Sequence, residues 1–590
     1  MNLPVYQFDL EPYLQLDVSD PAAAKECWDT THLVASLQGL VNRDDARLYL
    51  RAIQPADDYW WEWMRGDGEW LAGREVVHLK SLDALLEQFS DFYNGAVIYD
   101  PAVPATSNVA STIAGVENLL PVRYDPEPGS LYMNWVASGK LHAVLWLLNE
   151  DGTSLFTPDN RSDLSAGSAK ADVYLWAKNS YLDSGSCNPR KLAYYLDAYW
   201  LQIPKVSSPQ NHTLTNHDYF ISNRAFFFDL GPWDDESPID DPDQPEGTDA
   251  RVLRAILLSA YKQTRGNAMI HAGGFVPWAY KYTNHGVAGG HHDPVPTEWQ
   301  YAQILSAYNA YMDADALGLG AMANASFYQH YPLESHYPQN PKPNVETLRE
   351  RGLIDSGDRV AEKRFVTFYI GDYDSAAWLY SRVPSIWDDP GRGEMPLGWA
   401  FNPNLADRAP VAMVYTRQTR TENDFFVAGD SGAGYLNPGM LQEPRPFSEL
   451  PSGVKTWQEH CKRYHEQWDL SITGFVIDGY APGLNEDGLR AYTAFSPDGI
   501  VAQKIEEQGL FEGMPFIRMN LDLDGRPEDV ARTICSRFKG EMPQFLIFRT
   551  ILKTPSWHLE VRDHLQQICP EAEIVDPYTF FALLKHVLSL

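Results

Sequence analysis

A chain of 590 residues is longer than one hydrophobic core serves, so two or three domains are expected. The formal charge of −32, from 79 acidic and 47 basic side chains, repels polyphosphate and argues against nucleic acid as a partner. No apolar run is long enough to cross a membrane, and five scattered cysteines without a Cys-x-x-Cys pair suggest neither a disulfide framework nor a zinc ribbon. Met1 to Leu10 lacks the basic and apolar regions of a signal peptide. The expected setting is therefore reducing and cytoplasmic, or secreted if the start is trimmed.

Residues 1–215 read as an α/β region. The run Thr31–Val41 has helical spacing and precedes a strand at Ala46–Leu50. A helix near Ser81–Phe92, a strand at Ala96–Tyr99 and a helix through Ser107–Val116 follow. This alternation favours a parallel sheet covered by helices. Trp60-Trp61-Glu62-Trp63 reads as a packing patch, and no Gly-rich phosphate fingerprint follows any strand. A shift to Pro, Ser, Asn and Thr between Ile203 and Asn223 marks the expected boundary.

Beyond it, residues 216–590 read as a TIM-like (β/α) barrel with insertions, giving an α/β fold of two domains. Expected strands include Ala225–Leu230, Ala268–His271, Leu319–Ala325, Phe365–Ile370, Leu397–Phe401, Ile472–Ile477, Pro515–Met519, Phe545–Phe548 and Glu573–Val575. Val411–Tyr415 also has a strand-like composition, while Ala250–Gln263 and Tyr301–Leu317 read as helices. An open doubly wound sheet is the alternative.

Chemistry-bearing residues cluster where these strands stop. Asp229 ends the first and leads into an acidic loop, Trp233 to Gln244, with the hard oxygen ligands that Ca²⁺ takes; no other cofactor is suggested. Lys281 and Glu298 are candidate substrate contacts, and His285, His291 and His292 lie between them. Asn324 offers hydrogen bonds to hydroxyls. Asp372 and Asp374 form the sharpest signal. In an extended chain they point to one side, about 6.5–7 Å apart at Cα. Two carboxylates so close resist double ionisation, so an acid stands beside a base, as glycosidic cleavage needs. Trp378, Trp399 and Asn402 follow, then Asp424, Asp430, Ser431 and Tyr435, and later Asp478 and Arg549.

With these motifs the chain resembles the GxGYxYP family, described as glycoside hydrolases. The naming motif maps to Gly432, Gly434, Tyr435 and Pro438, with Asn437 where the family has Tyr. The family's Asp-Gly-Asp-Asn run stands here as Asp372-Tyr373-Asp374-Ser375, and the Phe228-Asp229-Leu230 and Asn324-Ala325-Ser326 segments also match. The resemblance implies carbohydrate processing. The expected activity is hydrolysis of a glycoside or oligosaccharide, with Asp372 or Asp374 completed by Asp424 or Asp229. Two other readings stay open: a metal-dependent carbohydrate esterase or deacetylase joining Asp372 or Asp374 to His285, His291 or His292, and a carbohydrate-binding protein without turnover.

Overall fold

The computed structural model describes residues 3–52, 55–156, 164, 167–195, 201, 215–276, 281–284, 290–315 and 322–590. The chain divides into two compact units, residues 1–332 with 446–450, and residues 333–445 with 451–590. The division falls at Pro332/Leu333. The composition shift at Ile203–Asn223, much of it outside the described residues, lies within the first unit. Among the described residues no helix is long and apolar enough to cross a membrane.

The first unit holds three separate parallel sheets where one was expected. Strand β1 (Val5–Asp9) lies between β2 (Leu48–Arg51) and β3 (Val76–Leu79). Strand β4 (Ala96–Tyr99) lies between β5 (Leu120–Arg123) and β6 (Ala143–Trp146). Strands β7 (Lys191–Tyr194), β8 (Phe226–Phe228), β9 (Ile270–Gly273) and β10 (Ala310–Met312) form the third sheet in the order β10-β9-β7-β8. A helix at Pro21–Val41 begins at Asp20, whose carboxylate accepts the Ala23 N–H at 2.9 Å, with proline at the first position. It is buried almost continuously from Cys27 onward. Trp60 and Trp61 pack inward from a helix at Ala56–Arg65, as the patch reading expects.

Two strands expected in the barrel therefore belong elsewhere. Phe226–Phe228 and Ile270–Gly273 pair with Lys191–Tyr194, a segment of the amino-terminal half. An alternation of strands and helices fixes the class of sheet but not which sheet a strand joins. Residues 319–321 of the expected strand at Leu319–Ala325 lie outside the described residues, residues 322–324 have no regular secondary structure, and Ala325–Tyr328 is helical.

The second unit is built on one sheet. Its strands are β11 (Arg364–Tyr373), β12 (Leu397–Phe401), β13 (Asp424–Ala428), β14 (Ile472–Val476), β15 (Gly499–Ala502), β16 (Gln508–Phe511), β17 (Met514–Arg518), β18 (Asp522–Leu523), β19 (Gln544–Ile551) and β20 (Ala572–Ile574). The order is β16-β17-β15-β14-β13-β12-β11-β19-β18, with β20 also pairing β11; all pairs are parallel except β16 with β17. Val411–Tyr415 is not a strand but part of a helix at Pro410–Gln418, where proline at the first turn sets the helical start.

This sheet is curled. Arg549 on β19 lies over the Phe475 ring on β14 at 5.7 Å. Four strand spacings separate β19 from β14 along the sheet, which would place them about 19 Å apart if it were flat. Across the concave side, the Tyr369 ring on β11 occupies the space a side chain at Gly474 would fill, 2.5 Å from the Cβ position. Glycine there is a steric requirement of the curl. The apolar filling includes Ala400, Val427, Ile472, Val501, Ile517 and Ile547, drawn from six different strands.

Candidate active site

Strand β11 carries Asp372 inside its last turn of pleat and Asp374 just after it. The ladder with β12 shifts register between Ile370 and Tyr373, and Asp372 has φ 74°. The simple extended spacing expected of the pair is thus broken by a bulge, a device that re-aims side chains beside functional sites. Positive φ on a residue with Cβ is strained, and aspartate tolerates it better than most. Ser375 then accepts the Trp378 N–H at 3.1 Å and caps the helix Ala376–Trp387. Asparagine, the family's residue there, caps equally well. Tyr373, in place of the family's glycine, is buried edge-on against Phe401 with centroids 4.8 Å apart.

The naming motif meets this pair. The Tyr435 hydroxyl donates to Asp374 Oδ2 at 2.8 Å, joining segments 61 positions apart in sequence. The loop that carries Tyr435 is held from several sides. Asp430, fully buried, accepts the Gly432 N–H at 2.7 Å and the Asn402 amide at 2.9 Å. Gly432 has φ 100°, a conformation glycine adopts without penalty. From the helix Val454–Gln467, the Trp457 indole N–H donates to Ser431 Oγ at 3.0 Å, and His460 Nε2 lies 3.0 Å from the Gly432 carbonyl. Asn437, where the family has Tyr, donates to the Ile477 carbonyl at 3.1 Å and ties the motif to the end of β14.

Among the described residues, Arg549 is the cation that faces these acids. Arg549 stands opposite Tyr369 in the β11–β19 ladder and pairs with Asp522 at 3.2 Å. Burial raises the Asp372 carboxyl above its ordinary range; Arg549 opposes that rise and Asp522 adds to it. Burial, with the neighbouring Asp372 charge, pushes Asp374 up to about 7, against the Tyr435 hydrogen bond and Arg549. Tyr369 donates to the Gly429 carbonyl at 2.8 Å, and its hydroxyl feels Arg549, Asp374, Asp430 and Asp372. The structure therefore gathers Asp372, Asp374, Tyr435, Arg549 and Tyr369, with Asp430, Asn402 and Ser431 holding the motif loop.

Other residues singled out in sequence have different roles. Asp424 opens β13, whereas Asp372 and Asp374 close the parallel β11 by way of β12, so it stands at the opposite edge of the sheet. It is buried, accepting Arg392 Nη1 at 2.6 Å, the Trp399 indole N–H at 2.9 Å and the Thr421 N–H at 2.7 Å. Trp399 is buried against Trp387 at 5.0 Å, so neither Asp424 nor Trp399 is at the mouth. Trp378 lies beneath the Arg382 guanidinium at 5.1 Å. Asp478 accepts the Lys504 N–H at 2.9 Å, and burial raises its carboxyl.

Asp229 belongs to the first unit. It is fully buried beside Lys281, Lys170 at 3.6 Å and the Tyr174 hydroxyl. Lys281 also meets Asp240 at 2.9 Å, and Lys170 meets Asp249 at 3.0 Å. Lys281 is therefore an ion-pair partner in a sealed network. The acidic loop read for Ca²⁺ spends its carboxylates similarly: Asp240 on both lysines, Asp234 on Arg254 at 2.6 Å and Asp241 on Ser168 at 2.6 Å. Asn324 is buried and bonds both backbone groups of Leu50, at 2.8 and 2.7 Å, extending β2 rather than meeting a ligand. Glu298 lies on the helix Pro294–Ser306. His292 stacks on Trp233 at 3.7 Å and meets Asp235 at 3.0 Å, while the His291 N–H donates to Glu236; both are in the first unit. His285 lies outside the described residues.

Sequence reading passed over Tyr369, which looked like one more core ring in a strand. It also passed over Asp313 and Asp315, because the helix expected at Tyr301–Leu317 ends at Ser306 and gives way to the three-residue β10.

A parallel α/β unit with coupled carboxylates and a tyrosine at one end of a curled sheet is the class of protein defined here. Residues 362–585 match the family described as "GxGYxYP putative glycoside hydrolase C-terminal domain", and residues 28–91 match "GxGYxYP_N 1st domain". Both matched segments are thus similar to domains of the GxGYxYP family. The crystal structure of a "putative hydrolase" from Bacteroides thetaiotaomicron VPI-5482 is similar over 99% of this chain and 94% of its own, with 16% identity and a TM-score of 0.64. At that identity the likeness is one of fold. No curated protein matches the chain.

Proposed function

We propose that the second unit is a glycoside hydrolase in which Asp374 is the general acid and Asp372 the second carboxylate. The observation that carries this reading is the Tyr435–Asp374 hydrogen bond, which brings the family's naming motif onto the coupled pair. An acid with a pKa near 7 is protonated enough to give a proton to a leaving oxygen at neutral pH. Asp372, nearer the influence of Arg549, is the member that ionises first and serves as nucleophile or base. The excess of carboxylates over cations favours a neutral hydroxyl-bearing substrate and a transition state that gains positive charge. The substrate class is a glycoside or oligosaccharide.

The pairing of the sheet's flanks supports this reading. Strand β17 pairs with β15, and the same stretch, running on through Met519–Leu521 into β18, pairs with β19. Met519 N–H donates to the Ala502 carbonyl and Asn520 N–H to the Ile547 carbonyl. One stretch bridging both flanks is what a barrel-like closure needs, with Asp372 and Asp374 at the carboxyl ends of its strands.

The test is a panel of aryl glycosides and oligosaccharides assayed for released sugar with wild type and Asp374→Asn. Turnover by wild type and its loss in a folded variant support the reading. Binding of a panel member without cleavage by wild type replaces it with a carbohydrate-binding role.

A further inference from the structure

We propose that the first unit holds a divalent metal ion between His271, Asp313 and Asp315. One ligand atom from each of the three lies within 4.8 Å of the others, and all three side chains are buried. His271 Nε2 and Asp313 Oδ2 are 3.0 Å apart. Ligands about 2.0–2.2 Å from a common ion sit about 3 Å from one another when adjacent, so this edge already has the spacing of a coordination sphere.

The arrangement follows from the sheet. In the parallel β9–β10 ladder His271 stands opposite Tyr311. The ladder puts Tyr311 on the face that carries His271, and the chain running on past β10 brings Asp313 and Asp315 to the same imidazole. Both acids lie just past the carboxyl end of β10, the edge where parallel sheets hold their ligands. The His271 imidazole is stacked on the Tyr311 ring, with centroids 5.0 Å apart and planes 8° apart, and packs against Phe220 at 5.3 Å. Its plane is set by those rings before any ion arrives, which lowers the ordering cost of ligation.

One borderline nitrogen with two hard oxygens suits Mn²⁺ or Zn²⁺ better than Ca²⁺, which takes oxygen ligands only. Three protein ligands leave coordination positions for water or a substrate hydroxyl. The site uses none of the residues of the proposed glycosidase centre.

The experiment titrates the full-length protein, stripped with chelator, with Mn²⁺ followed by electron paramagnetic resonance and with Zn²⁺ followed by calorimetry. One equivalent of at least one ion is expected, with a rise in Tm on loading. Asp315→Asn and Asp313→Asn, each checked for folding by circular dichroism, should weaken that binding at least tenfold and abolish the Tm rise, while Asp374→Asn should leave both unchanged. Lack of stoichiometric binding of either ion to wild type would overturn the proposal. So would undiminished binding in Asp315→Asn, which stands as the deciding variant if Asp313→Asn does not fold.

Discussion

Two clusters of aspartates, one in each unit, are handled in opposite ways; the first is buried, the second half-buried with Asp522 exposed. In the first, Asp229, Asp240 and Asp249 share Lys170 and Lys281, with Tyr174 and Tyr282 completing the hydrogen bonds. Lys170 is held above its ordinary value because three carboxylates outweigh its burial. In the second, Asp372, Asp374 and Asp522 face Arg549, and burial leaves Asp372 and Asp374 with raised values. Asp229 and the Asp372–Asp374 pair each come at or just past the end of a parallel strand, so position alone does not separate them. The balance of cations does: two lysines stand against the three carboxylates of the first cluster and tie them into the structure, although burial still raises Asp249, whereas Asp372 and Asp374 face Arg549 and keep a proton that can be given away.

The sharpest way to break this contrast is to remove one acid from each cluster. Asp374→Asn should lower kcat on any cleaved glycoside by about 10²–10⁴-fold while the far-ultraviolet spectrum stays unchanged. Asp229→Asn should do the reverse. It leaves Lys281 and Lys170 undercompensated in a sealed site, a change that costs about 3–5 kcal/mol in comparable buried pairs. Chemical denaturation should report that loss, with activity per folded molecule close to wild type. If Asp229→Asn abolished turnover in folded protein, the division into structural and reactive acids would be wrong.

A smaller effect is expected from the tyrosine. The Tyr435 hydrogen bond favours the ionised form of Asp374, so Tyr435→Phe should move the basic limb of kcat/KM above its wild-type position near pH 7. The same profile should retain its shape in a Trp378→Phe variant, because that ring lies under Arg382. An unmoved limb in Tyr435→Phe would detach the family motif from the acid.

How far these roles were readable in the sequence depends on the range of the interaction. The Asp372-x-Asp374 pair and the Gly432–Tyr435 motif are local patterns, and each strand carrying them was visible as a run of β-favouring residues. The Thr31–Val41 half of the helix at Pro21–Val41 and the strand β4 were legible for the same reason. Sheet membership was not. Phe226–Phe228 looks the same whether it pairs with Lys191–Tyr194 or enters a barrel, because pairing depends on contacts distant in sequence. Nor was partnering legible. Asp229 and Asp374 both follow a buried β run, and only the folded chain brings two lysines to one and a tyrosine to the other. Asp424 precedes its strand in the sequence, and in a parallel sheet that alone puts it at the edge opposite Asp372 and Asp374. Asp313 and Asp315 were hidden by the shortness of β10, three residues that fit the helical period of the segment before them.

The smallest effect expected is on stability against pH, and it sharpens the comparison without needing a substrate. The Asp374 carboxyl titrates near 3.8 in an unfolded chain and about 7 when folded. The folded state therefore holds the proton longer, and its contribution is fully present below the unfolded value. As pH rises from about 4 to about 7 the unfolded state has already lost its proton, so this contribution declines, and above 7 it is gone. Asp374→Asn carries no charge at any of these values. It should match wild type near pH 4 and exceed it at pH 8, by about 1–2 kcal/mol once part of the burial cost is shared with the coupled Asp372. Asp229→Asn should show no such crossing, being the less stable protein at both pH values because its lysines remain charged. Denaturant curves of the three proteins at pH 4.5 and pH 8 decide it. Parallel behaviour of the two variants would mean that Asp374 is neutralised in the folded protein as thoroughly as Asp229, and the proton assigned to catalysis would have to come from elsewhere.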